Sequence, residues 1–181
     1  MNAIQRVLGR SLLVVGIVLA VACAPTGNAA SGGSPSAVAA PDPSNATFKI
    51  DKETVTLTNG RAEREAAPGS ASKAVAALTD KRVNGDVDGD GRPDAIVILT
   101  YQPGGSGTFY YVAALLNASA GVNATSAVLL GDRIVVSGLR VDGTTIVVDF
   151  LDRAPGQPFS ASPTVSSTRR FEVDHGALLP R

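Results

Sequence analysis

The sequence predicts an all-β protein, mainly antiparallel, folded as a sandwich or open barrel in one small domain behind a signal peptide and a flexible linker. Short runs rich in Val, Ile, Thr, Tyr and Phe recur beyond residue 47, the composition that suits a pleated surface. Asn59-Gly60 and Asp142-Gly143 mark two-residue turns, whose central positions need the positive φ that Asn, Asp and Gly tolerate. A helical period is almost absent, and no internal repeat is visible. With 181 residues there is room for one domain plus appendages. The chain is 44% hydrophobic with 4% aromatics and no Trp, so the core must be built from Val, Ile, Leu and Ala.

The first element is an address. Residues 1–22 carry Arg6 and Arg10 in a positive n-region and an apolar run over residues 12–21, too short to span a bilayer comfortably. Leu19-Ala20-Val21-Ala22-Cys23 has the small residues leading into a cysteine that a bacterial lipobox requires. Cys23 is the only cysteine, so no disulfide is expected, and its thiol and freed amine are the expected acylation sites. Two or three acyl chains give stable attachment where one is marginal. Ala24, rather than Asp, after the cysteine favours an outer membrane, facing the periplasm, in a Gram-negative cell. Removing the leader takes away two basic residues from a neutral chain, leaving a net of about −2. No basic patch stands out, and no nucleic-acid partner is expected.

Residues 23–46 hold the lipidated Cys and a stretch of Ala, Gly, Ser, Pro and Asn, expected as a disordered linker. The β domain is expected over residues 47–176, with 177–181 as a tail. Residues 54–58 alternate, and 61–65 form the expected return strand, polar on both sides and therefore at an edge. Residues 71–78 are ambiguous between strand and helix, with strand preferred. Residues 95–101 and 108–116 are continuous apolar runs, expected as a central antiparallel pair joined by the glycine-rich turn 102–107. Further strands are expected at 126–130, 133–141, 144–150 and 165–173. Adjacent Tyr110 and Tyr111 must face opposite sides, one core and one exposed.

The chemistry concentrates between residues 84 and 94. Asp86, Asp88, Asp90 and Asp94 stand at positions one, three, five and nine of a loop with Gly91 at six. Calcium takes six to eight hard oxygen ligands, and this spacing lets the first three carboxylates converge while the carbonyl of Arg92 supplies position seven. Position twelve is Val97, so the bidentate glutamate of an EF-hand is missing, and a strand follows in place of a helix. The alternative is an Asp/Gly turn held by side-chain-to-backbone bonds. A structural Ca²⁺ ion is the expected cofactor, with an affinity of about 10⁻⁴ to 10⁻³ M.

The loop resembles the calcium turns of integrin-type FG-GAP repeats, Asp-x-Asp-x-Asp-Gly-x-x-Asp before an apolar strand, which implies the ion site and not the propeller. Read together with Gly104–Tyr111, Leu129–Ile134 and Asp152–Gly156, it is similar to a family of small, uncharacterised bacterial envelope lipoproteins; that resemblance implies no activity.

Other groups carry weaker signals. The 104–107 turn lacks the Gly-Lys-Ser/Thr ending of a P-loop and reads as a hairpin turn. His175, the only histidine, reads as a solvent-exposed tail residue. Asp132-Arg133 and Asp152-Arg153 can line a groove with Asp149, but loop-end contacts are the preferred reading. The expected function is thus a non-enzymatic, lipid-anchored envelope protein that binds or supports another envelope component. The alternatives are a Ca²⁺-dependent hydrolase using Asp132, Asp149, Asp152 or His175, and a β domain that binds a small ligand between its sheets.

Overall fold

In a computed structural model, residues 38–181 are described; the expected leader, Cys23 and most of the expected linker lie outside that range. Twelve strands follow in order: β1 (Thr47–Ile50), β2 (Glu53–Thr56), β3 (Arg61–Glu65), β4 (Lys73–Gly85), β5 (Asp94–Gln102), β6 (Phe109–Ala118), β7 (Gly121–Ala124), β8 (Ser126–Asp132), β9 (Val135–Asp142), β10 (Thr145–Asp152), β11 (Val165–Asp174) and β12 (Ala177–Pro180). The all-β expectation holds: among the described residues the helical content is one 3-10 turn, Pro43–Asn45.

The strands form an eight-stranded sheet, in the order β2-β1-β8-β6-β5-β4-β3 with β7 also on β6, and a four-stranded sheet in the order β12-β11-β10-β9. Every pairing is antiparallel except β1 with β8. The larger sheet is nearly a barrel. Its two ends, β2 and β3, are consecutive in the chain and meet at the turn between them.

β5 and β6 pair antiparallel, from Ala95 opposite Leu115 to Tyr101 opposite Phe109, and they are the heart of the molecule. Ala95, Val97, Leu99, Tyr111, Ala113 and Leu115 fill the barrel interior with Phe48, Ile50 and Leu57. Ile96, Ile98, Val112, Ala114 and Leu116 point the other way, against Ile146, Val148, Phe150 and Phe171 of the second sheet. Successive residues of a strand face opposite sides, so a strand covered on both faces must be apolar at every position. That accounts for the unbroken runs in the sequence. Tyr111 is buried in the barrel core and Tyr110 is half-buried against the second sheet, so they do oppose each other, but Tyr110 is not exposed.

Gly85, at the end of β4, marks the close approach of the two sheets. A Cβ there would sit 3.1 Å from the Val141 side chain of β9, so this contact accepts glycine alone without movement.

Three expectations need correction. The Asn59-Gly60 turn forms, with φ of 51° and 82°, and Thr58 and Arg61 bridge across it. However, the strands then part: β2 pairs with β1 and β3 with β4, so the turn closes a barrel in place of starting a hairpin. Arg61–Glu65 does lie at an edge, as its polar pattern demands. Across the seam, Arg64 of β3 pairs with Glu53 of β2, and the Tyr101 hydroxyl donates to Glu53 at 2.7 Å.

Second, the end of the expected linker is packed. Pro43 is buried, Asp42 caps the 3-10 turn through the Ser44 N–H, and the Ser44 carbonyl accepts from Gly60 at 2.7 Å. A Pro- and Ser-rich composition hides this, because the contacts are made by backbone groups. Third, residues 177–180 are not a tail. β12 pairs with β11 and buries Leu178 in the inter-sheet core.

Since β5 is covered on both sides, Leu99→Ala (barrel core) and Ile98→Ala (inter-sheet core) are each expected to destabilise the protein by about 2–5 kcal/mol. Urea unfolding of both variants checks this; a neutral Ile98→Ala would mean that the second sheet does not cover β5.

Candidate metal centre

The 86–93 loop joins β4 to β5, and Gly85 opposite Asp94 is the last pair of that ladder. Its chain reversal uses Gly89 and Gly91, both at φ near +80° (81° and 80°), with open space where a Cβ would be. The loop is anchored from within: Val87 is buried in the inter-sheet core.

Asp94 is the innermost carboxylate, with no exposed surface. Its Oδ2 accepts the Val87 N–H at 2.9 Å and its Oδ1 the Asn117 N–H at 2.8 Å, so one side chain ties the loop to β5 and to the end of β6. Burial raises the Asp94 pKa; the two amide bonds oppose this, and Asp88 and Asp90 push it further up. Asn117 continues the network, donating through Nδ2 to the carbonyls of Ala39 at 3.1 Å and Pro93 at 3.2 Å.

Asp86 accepts from Gly89 at 2.7 Å and from Gly91 at 2.9 Å, Asp88 from the Asp90 N–H at 3.2 Å, and Asp90 from the Arg92 N–H at 2.8 Å. These are the side-chain-to-backbone bonds of an Asp/Gly turn, and they shape the loop. They do not exhaust it. Asp86, Asp88 and Asp94 each offer an oxygen within 4.8 Å of the others, and this group can hold a metal ion. A carboxylate oxygen has two lone pairs, so an amide bond leaves one for a cation. The donors are all hard oxygens and suit a hard divalent cation. Asp90 lies outside that triangle, and the Arg92 guanidinium buries its Nε without a partner among the described residues.

The remaining polar groups are dispersed. Asp132 accepts the Thr108 N–H, Asp149 pairs with Arg140 and Thr168, and Asp152 accepts the Arg153 N–H. Arg153 binds the carbonyls of Arg133, Phe159 and Ala161, and Arg133 binds that of Ser106, so these residues staple loops as preferred. His175 occupies the β11–β12 turn at φ 47° with its side chain 97% exposed. Among the described residues, the side chains of Asp132, Asp149, Asp152 and His175 meet separate groups and make no hydrogen bond to one another.

Compared with protein families, curated proteins and solved structures, the chain matches none.

Asp94→Asn removes one acceptor and turns an amide group toward a backbone N–H. With chelator present, it is expected to cost about 1–3 kcal/mol in denaturant unfolding. The raised pKa sets a sign as well. The folded state holds the Asp94 proton more tightly than the unfolded chain, so this contribution to stability is complete below about pH 4. It is lost as pH rises through the raised value. The difference in stability between wild type and Asp94→Asn, followed over that range in chelator, checks it; a difference that stays flat would refute the burial argument.

Proposed function

We propose that the protein is a lipid-anchored component of the bacterial cell envelope, non-enzymatic, whose β domain carries a structural Ca²⁺ ion and binds or supports another envelope component. The observation that carries the reading is the meeting of Asp86, Asp88 and Asp94 at one point. Unpaired, such carboxylates repel one another, and a divalent cation among them reverses that term.

Calcium is favoured over magnesium because the loop is flexible in glycine and rich in carboxylate, whereas Mg²⁺ demands near-ideal octahedral geometry and keeps its waters. Asp86, Asp88 and Asp94 would hold the ion, with the Arg92 carbonyl as a further oxygen donor from the same loop; Asp90, outside the triangle, would stay bonded to the Arg92 N–H. Bound there, the ion supplies charge neutralisation and a fixed loop at the mouth of the central strand. The lipobox ending at Cys23 supports the membrane anchor, and Ala24 supports the outer membrane as its place in a Gram-negative cell.

The test is thermal unfolding of the full chain in neutral detergent, first with EDTA and then with about 1 mM Ca²⁺. At a Kd of about 10⁻⁴ M the ion adds about 1.4 kcal/mol, a rise in Tm of roughly 3–6 °C. Asp88→Ala, at an exposed position, is expected to fold and to lose the rise. An identical Tm with and without Ca²⁺ in the wild type would reduce the loop to a turn. For the anchor, cells expressing the wild type should incorporate labelled palmitate into the protein and those expressing Cys23→Ala should not; an unlabelled wild type would sink that half of the reading.

A further inference from the structure

The outer face of the four-stranded sheet carries a feature that sequence spacing conceals. Val147 of β10 lies opposite Arg140 of β9 on one side and Arg170 of β11 on the other. It is fully buried yet belongs to neither core cluster. Flanking arginine stems cover apolar surface in this way while their guanidinium heads stay in water. Arg181 ends the same row, its N–H donating to the Arg170 carbonyl at 2.9 Å.

β12 stops at Pro180, whereas β11 begins at Val165, so the first part of β11 has a bare edge. A concave notch of about 680 Å³ opens there, and Arg140, Thr168, Arg169, Arg170 and Arg181 line it. The N–H and C=O of one strand residue point to the same side, and this direction repeats every second residue. Because the Arg170 carbonyl faces β12, the Thr168 N–H points into the notch at the place where β12 has ended.

The arginines are not equivalent. Arg140 pairs with Asp149, and Arg181 with Glu172 and the Thr145 hydroxyl. Arg170 has no ion pair or side-chain hydrogen bond among the described residues. Arg169 lies on the opposite face of β11, with its guanidinium 5.6 Å above the Phe150 ring; its Nη1 donates to the Leu129 carbonyl at 2.9 Å, leaving Nε and Nη2 free of partners among the described residues. Counting side chains alone, two carboxylates offset two of the four arginines. Arg169 and Arg170 are left uncompensated on either side of a bare strand edge.

We propose that this notch binds a phosphate monoester, held between Arg169 and Arg170 and capped by the Thr168 N–H. Two guanidiniums approaching from opposite faces, with an amide between them, require an anion whose oxygens point in several directions. A tetrahedral phosphate dianion meets that demand, and a planar carboxylate with two oxygens does not. Arg140 and Arg181, each held by its own carboxylate, border the rim and leave Arg169 and Arg170 to carry the net charge. The phosphate can belong to a free small molecule or to a lipid headgroup, and the chemistry of the notch is the same for both.

The test uses the full chain in neutral detergent, titrated calorimetrically with inorganic phosphate, with dihexanoyl phosphatidic acid and with dihexanoyl phosphatidylcholine. Saturable binding of phosphate or of the phosphatidic acid is expected, and the stronger of the two identifies the source. Arg170→Gln, at an exposed and unpaired position, is expected to keep the wild-type Tm and weaken that binding at least tenfold. Lys81→Gln, remote from the notch, should leave it unchanged. Binding to neither anion, equal loss in both variants, or full binding by Arg170→Gln would each overturn the proposal. So would an acidic peptide, such as oligoglutamate, binding as tightly as the phosphates.

Discussion

Burial of the β5–β6 pair on both faces is the constraint from which the remaining architecture follows. A single sheet can cover one face of such a pair only by curling over it, and the flanking strands do so until β2 and β3 nearly meet. The opposite face then needs a separate cover, which the chain supplies last, as β9 to β12. Alanines at 95, 113 and 114 keep this doubly covered pair thin enough for both layers to approach. The low aromatic content fits the same geometry, because the space on either side is filled mostly by Val, Ile and Leu, with Phe48 and Tyr111 in one core and Phe150 and Phe171 in the other.

The acidic loop inherits its position from that pair. Asp94 is the first residue of β5 and so enters a region with no water to solvate a carboxylate, which is why both of its oxygens are given to backbone amides. Asp86 and Asp88 stand over it because Val87, between them, must reach the inter-sheet core. The convergence of charge is therefore a by-product of anchoring a loop at the end of a buried strand. A cation held there would relieve that repulsion.

The sequence was informative wherever a local rule governed. Continuous apolar runs revealed β5 and β6, and the aspartate spacing revealed three residues that do meet. Asn59-Gly60 revealed its turn but not what the turn joins, since partner choice depends on β1 and β8, far away in the chain. The strands β1, β7 and β12 are four residues each, too short for a period to show. The arginine notch was invisible for another reason. Its members come from β9, β11 and the residue after β12, and only the register of four strands, β9 to β12, gathers them, so a chain with no basic run nevertheless carries a basic site.

The packed segment before β1 also determines where the domain feels a pull. Among the described residues, tension arriving along the chain from the N-terminal side meets the Ala39 carbonyl bond to Asn117, then the bonds of Ser44 and Asn45 to the Gly60 turn. One of these attachments leads to the acidic loop through Asn117, and the other to the place where the barrel closes. Load is thus delivered to the seam and the loop before it reaches either core, and the two cores are mechanically shielded behind them.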